Sequence, residues 1–226
     1  MSVSNKKPDG SVMTPNEHGI RALRGNEGWH TDSSHMPLAA KASMLSAQVV
    51  PSAGGETAWA DMRAAYDALD QDRKEKIEGI SVHHSLYQSQ AKIGHVVETG
   101  TAYSYHNKGA PLRPLVKTHP VTGRKSLFIG WHAYRIPGLD DAEAQNLLDD
   151  LLAFACQPPR TRKHNWQPGD LVVWGDRCIL HAAQPYDYCE TRIMRHTRVA
   201  GDPASELVTT GRDERANGFE ASASNR

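Results

Sequence analysis

Three stretches close the periodic part of the chain: Asp170-Leu171-Val172-Val173-Trp174, Cys178-Ile179-Leu180-His181-Ala182-Ala183 and Arg192-Ile193-Met194-Arg195-His196-Thr197-Arg198-Val199-Ala200. Each is too brief for an amphipathic helix and rich in β-formers, so each predicts a strand. Upstream, residues 113–119 and 126–132 flank Pro120-Val121-Thr122-Gly123, which predicts a hairpin. Ser43 to Val50 is a further β-prone run, closed by Pro51 and a Gly54-Gly55 turn, and Ser81 to Leu86 predicts another strand. Helices fall between these runs. Asp61 and Asp70 are placed to cap two short ones, with Gly79 as a stop. From Asp140 to Cys156, residues Ala144, Leu147, Leu148, Leu151, Leu152 and Ala155 follow helical spacing, and Pro158-Pro159 ends the run. Residues 94–112 have no period and read as a long loop. With no βαβ rhythm, the chain reads as mainly β with helical insertions, a sandwich or barrel.

Length and charge narrow the rest. The 226 residues suit one domain, and 26 Lys+Arg against 26 Asp+Glu leave no net charge. That removes the basic footprint of a nucleic-acid binder. No window holds enough apolar residues for a membrane span, and the first ten residues lack the apolar stretch of a secretory signal. Cys156, Cys178 and Cys189 are odd in number and lack C-x-x-C spacing, which fits a reducing cytoplasm.

The residue that stands out is histidine, present twelve times. In Trp29-His30-Thr31-Asp32, an extended backbone puts His30 and Asp32 on one face. A second imidazole would complete the 2-His-1-carboxylate set of non-haem Fe(II) oxygenases. H-x-D also recurs by chance, as a surface His beside a capping Asp. His181, inside a predicted strand, is the best partner; the bland alternative is a core His bonded to a carbonyl. Thr57, after the Gly54-Gly55 turn, is either an anion ligand or an ordinary loop Thr. Arg192 alternates with Met194 and His196, and its guanidinium suits either a bound carboxylate or a surface ion pair.

The order of the motifs carries more than any one of them. W-H-T-D-S-S, V-V-P-S-A-G-G-E-T, A-D-M-R-A-A-Y-D-A-L, L-F-I-G-W-H-A, W-Q-P-G-D-L-V-V-W and R-C-I-L-H occur in sequence between Asn26 and Pro203. This series resembles the taurine / 2,4-dichlorophenoxyacetate dioxygenase family of Fe(II)- and 2-oxoglutarate-dependent enzymes. His83-His84-Ser85-Leu86, the run Ser89 to His95 and the run Pro111 to Lys117 are most similar to its (S)-2-phenoxypropionate branch. The resemblance implies a double-stranded β-helix, or jelly roll. It implies His30, Asp32 and His181 as ligands of Fe(2+), with Thr57 and Arg192 on the distal carboxylate of the co-substrate 2-oxoglutarate. Asn26, His196 and Arg198 would line the substrate pocket, and O2 would take the last metal position. The implied division is a polar lead-in at 1–25, a catalytic domain at 26–203 and a disordered polar tail at 204–226.

The reaction expected is hydroxylation of a small anionic substrate, first an aryloxyalkanoate, cleaved at its ether to a phenol and a keto acid with succinate and CO2 as co-products. The alternatives are an alkylsulfonate dioxygenase or a catalytically impaired metal-binding jelly roll. A zinc hydrolase is disfavoured, since no H-E-x-x-H helix or other general base stands out. A homo-oligomer is left open. Three departures from the family pattern stand out. Met1 enters just ahead of the H-x-D motif, so the family's N-terminal segment is expected to be missing. Trp174-Gly175-Asp176-Arg177 replaces the usual W-D-N-R, and His196 stands where many relatives carry a second Arg.

Overall fold

The computed structural model describes residues 1–100 and 105–216. Along the chain run β1 (Ser2–Ser4), α1 (His18–Arg24), β2 (Ala40–Val49), β3 (Thr57–Asp61), α2 (Met62–Asp67), α3 (Gln71–Ile77), β4 (Ser81–His84), α4 (Leu86–Lys92), β5 (Ala110–Pro114), β6 (Val116–Thr118) and β7 (Lys125–Leu127). Then follow β8 (Ala133–Tyr134), α5 (Asp141–Ala155), β9 (Thr161–His164), β10 (Leu171–Trp174), β11 (Ile179–Ala183), β12 (Ile193–Ala200), α6 (Pro203–Glu206) and β13 (Thr210–Gly211).

Two antiparallel sheets, ordered β1-β12-β2-β10 and β11-β3-β9, enclose an apolar layer of Leu45, Ala47, Met194, Trp166 and Trp174, with Trp59 and Ile179 packed on it. The three-stranded sheet is covered on both sides because strand period is two. Trp59 packs on that inner layer, while Ala60 and Leu180 join the larger core under α2 and α5. His181, next to Leu180, therefore faces the interior between the sheets. Further sheets, β13-β5-β4-β8 and β6-β7, flank this sandwich.

The helix expected from Asp140 to Cys156 is α5. Asp140 and Glu143 form a capping box, and Ala144, Leu148, Leu151 and Ala155 are buried against the core. Asp61 and Asp70 cap α2 and α3. The predicted hairpin is β6–β7, with Val116 opposite Leu127 and Gly123 at φ +69° in the turn. Among the described residues, no helix is long and apolar enough to cross a membrane.

Several expectations need correction. Residues 1–28 show neither helical nor strand period and read as an ill-ordered lead-in, yet β1 pairs with an edge of β12 and α1 buries Ile20. Three residues are too few to display alternation, and the order comes from the edge they complete. Leu86 opens α4 instead of ending a strand, because the Ser85 hydroxyl accepts from the Tyr87 amide at 3.2 Å. Helix α4 was hidden because Gln88, Ser89 and Gln90 are buried polar residues. The loop expected over 94–112 gives way to β5 at Ala110; its residues 101–104 lie outside the described ones. Strand β9 reads Thr-Arg-Lys-His, a charged edge with no apolar pattern. Within the expected tail, α6 and β13 are ordered, and residues 217–226 lie outside the described ones.

Candidate metal centre

His30 and His181 meet through the backbone. The amide of His30 donates to the His181 carbonyl at 2.9 Å, and the amide of His181 returns the bond at 2.8 Å. Asp32 follows two residues on, so period two brings its carboxylate to the same side. The ligand atoms of His30, Asp32 and His181 lie within 4.8 Å of one another, and all three residues are buried. Among the described residues this is the single group of His, Cys, Asp or Glu side chains so arranged.

The surrounding contacts fix each of these side chains. His30 Nδ1 donates to the Gly28 carbonyl at 2.7 Å, which sets the tautomer and frees Nε2. The Trp174 ring lies 4.8 Å from the His181 ring and holds it in place. Oδ2 of Asp32 accepts from Ser43 Oγ at 2.7 Å and lies 3.0 Å from His196 Nε2. Ser43 Oγ is also 2.7 Å from Oδ2 of Asp176, whose backbone carbonyl accepts from the Thr31 hydroxyl at 2.8 Å.

Burial holds His30 and His181 below the ordinary imidazole range, well below in the case of His181. Burial also works to raise Asp32, but the His196 hydrogen bond and the neighbouring imidazoles outweigh it and hold the carboxyl well below its usual range. Asp176 is pushed up to about 8 by burial and by the charge on Asp32. An ionised carboxylate beside two neutral imidazoles is the protonation state a divalent metal requires. Two nitrogens and one oxygen, with no Lys or Arg ion-paired to the carboxylate among the described residues, fit Fe(II) with positions left open.

Around this group lies a cavity of about 300 Å³. Its walls include every site residue singled out in the sequence: His30, Asp32, His181, Thr57, Arg192, Asn26, His196 and Arg198. Thr57 opens β3, and its hydroxyl accepts from Trp166 Nε1 at 3.0 Å. Arg192 is buried, donates through Nη2 to the Gly55 carbonyl at 3.0 Å, and has an unpartnered Nε. Gly55, at φ +70°, makes this possible: a Cβ there would meet Arg192 Nε at 3.2 Å and Pro51 at 2.9 Å. A buried guanidinium without a carboxylate partner among the described residues is a receptor for an external one. His196 lines the cavity, but its Nε2 is engaged with Asp32. Arg198 reaches Ser33 Oγ at 3.1 Å. Sequence reading did not single out Ser43 or His35, which carry no motif of their own. Asp176 stood out there only as a departure from pattern.

The chain has known relatives. Residues 2–199 match the family described as taurine catabolism dioxygenase TauD, TfdA family. The chain belongs to this family. An (S)-phenoxypropionate/alpha-ketoglutarate-dioxygenase of Sphingobium herbicidovorans is 54% identical over 213 residues, covering 92% of this chain and 74% of that protein. An alpha-ketoglutarate-dependent 2,4-dichlorophenoxyacetate dioxygenase of Cupriavidus pinatubonensis is 41% identical over 201 residues, covering 88% and 69%. Among solved structures, AAD-2 in complex with Mn(II) and N-oxalylglycine superposes with a TM-score of 0.83 at 41% identity, covering 89% of this chain and 73% of that one. The sandwich described above is thus the jelly roll of the TauD/TfdA family. The protein is a 2-oxoglutarate-dependent dioxygenase, with Fe(II) as its metal cofactor and O2 as the further co-substrate.

Proposed function

We propose that this dioxygenase hydroxylates an aryloxyalkanoate at the carbon bearing the ether oxygen. The observation that carries the reading is the convergence of His30, Asp32 and His181 on one wall of a cavity that also presents the buried guanidinium of Arg192 and the guanidinium of Arg198. The phenoxypropionate and dichlorophenoxyacetate dioxygenases that the chain resembles support the substrate class.

In this reading His30, Asp32 and His181 hold the iron. When bound, the metal lets 2-oxoglutarate and O2 deliver an oxygen atom to a carbon of the substrate, with succinate and CO2 as products. Arg192 and Thr57 bind the distal carboxylate of 2-oxoglutarate, and the Gly55 carbonyl and Tyr186 ring fix the guanidinium. Ser43 and His196 hold Oδ2 of Asp32 and so fix the orientation of the carboxylate that would bind the metal. Asn26 and Arg198 face the substrate. Trp174 and Leu45 supply apolar wall, so water is kept from the reacting carbon. A hydroxyl placed on an ether carbon gives a hemiketal-type product, which collapses to a phenol and a keto acid. The three free cysteines support a reducing, cytoplasmic setting.

The test is turnover with Fe(II), 2-oxoglutarate and O2 across both enantiomers of 2-aryloxypropionates and a set of alkylsulfonates. Phenol and succinate released in equal amounts are expected with the aryloxy acids. Turnover confined to sulfonates would remove the substrate class, and iron binding without succinate would leave a catalytically impaired jelly roll.

A further inference from the structure

Among the described residues, two buried imidazoles leave both ring nitrogens without a protein partner, His35 and His84. His84 is sealed in β4 against Phe128, at 5.4 Å between rings, and lies outside the cavity wall. His35 is 95% buried and lines the cavity three residues past Asp32. We infer that His35 is a substrate-binding residue, donating a ring N–H to the anionic group of the substrate beside Arg198. This rests on the proposed aryloxyalkanoate reading and deepens it.

The first support is the unmet hydrogen-bonding capacity itself. Buried polar atoms in folded proteins nearly always have partners, and those that lack one need an explanation. A ligand that fills the cavity can supply it. The second support is rigidity. His35 sits in a turn closed by the Met36 amide donating to the Ser33 carbonyl at 3.0 Å, with Ser33 at φ +56°. Buried Arg113 grips both flanks of His35, donating to the Ser34 carbonyl at 2.8 Å and the Met36 carbonyl at 2.7 Å. The ring stands edge-on to His132 at 4.9 Å and stacks on His106 at 6.2 Å. A donor held this firmly is preorganised for one ligand geometry.

The third support is the neighbouring charge. Arg198 is bound to Ser33, two residues from His35, so one short segment carries the imidazole and its partner fixes the guanidinium. His196, the other basic residue on that strand to line the cavity, is committed to Asp32. His35 is held well below the ordinary imidazole range by burial, with His132, Arg198 and His106 adding to the effect. A neutral ring keeps one N–H donor and offers hydrogen bonding without a further charge. Arg198 supplies the charge, and His35 the directed bond.

The experiment measures substrate affinity on the Fe(II)- and 2-oxoglutarate-loaded enzyme without O2, using a 2-aryloxypropionate and its uncharged amide. His35→Phe keeps a ring against His132 and removes both nitrogens. The acid is expected to bind about 10- to 100-fold more weakly to this variant, the scale of a lost hydrogen bond to a charged group. Amide affinity, iron affinity and 2-oxoglutarate affinity are expected to stay as in the parent enzyme, and His35→Gln to recover most of the loss. Equal weakening for acid and amide would reduce His35 to a packing role and overturn the inference, as would an unchanged acid affinity. If the parent enzyme binds no aryloxyalkanoate, both the inference and the substrate reading fall; if it binds and His35→Phe changes nothing, the inference falls alone.

Discussion

Glu206 and Asp32 are both buried carboxylates, and the chain answers their charges in different ways. Glu206 is fully buried, its backbone carbonyl accepting from the Ala39 amide, and is ion-paired to Lys117 and, at 2.7 Å, to Arg177 Nε. Arg113 donates to the backbone carbonyl of the same residue at 3.2 Å. Asp32 receives a hydroxyl and imidazoles instead, and no Lys or Arg is ion-paired to it among the described residues. A carboxylate matched by the protein's own cations is complete without help and serves the fold. One given only hydrogen-bond donors is oriented but not neutralised, and the missing positive charge has to arrive from solution. The difference separates a structural ion pair from a metal site without reference to motif.

The largest effect expected from this contrast is on the open site. His181→Ala should abolish iron binding and turnover while leaving the fold, read by circular dichroism, intact; iron retained at parental affinity would break the comparison. Glu206→Gln should act on the other side, lowering unfolding free energy in urea by about 3–5 kcal/mol because Lys117 and Arg177 lose their counter-ion in a buried place. In the metal-free protein Asp32→Asn should cost less than that, since no Lys or Arg is left buried without its counter-ion. Equal losses from these two substitutions would show that the two carboxylates are not treated differently after all.

Arg192→Ala should raise the 2-oxoglutarate concentration needed for half-maximal turnover about 10- to 100-fold, the range for a charge-assisted bond. Unchanged 2-oxoglutarate kinetics would remove its assigned role. The smallest effect is one of sign with pH. Glu206 is held below its usual range by Lys117 and Arg177 against the pull of burial, so its contribution is present above the unfolded carboxylate range and lost on acidification. Asp176, raised to about 8, works the other way: its contribution is full below the unfolded value and is lost as pH climbs through about 8. Urea titrations of metal-free protein should show Asp176→Asn flattening the decline from about pH 4 to 8. A decline of unchanged slope would place the raised group elsewhere.

Much of this was legible in the residues. The stripe at Ala144, Leu148 and Leu151 gave α5 because a helix of that length repeats its pattern several times. Strands β10, β11 and β12 were visible as apolar runs, and the hairpin through its Pro-Val-Thr-Gly turn. His30, Asp32 and His181 stood out because ordered motifs carry them, and Arg192 through its alternation with Met194 and His196 and the fit of a guanidinium to a carboxylate. Strand β1 and helix α4 were not, for opposite reasons: β1 is ordered by the strand beside it, and α4 buries glutamines that carry no apolar period. His35 has an ordinary local sequence, and only its lack of partners in three dimensions sets it apart. Likewise, nothing in the sequence ties His196 to Asp32 in preference to a substrate.

The reciprocal backbone bonds between His30 and His181 have a thermodynamic meaning of their own. In an unfolded chain, bringing these two distant positions together would carry a large loop-closure entropy. Here the antiparallel bridge has already met that cost by the time folding is complete, so in the proposed reading the metal would find its nitrogen donors held at fixed separation. Iron affinity should therefore be insensitive to how the intervening chain is connected. A circular permutant opened at the exposed Pro120–Gly123 turn, and refolded to the same bridge, should bind iron as the parent does.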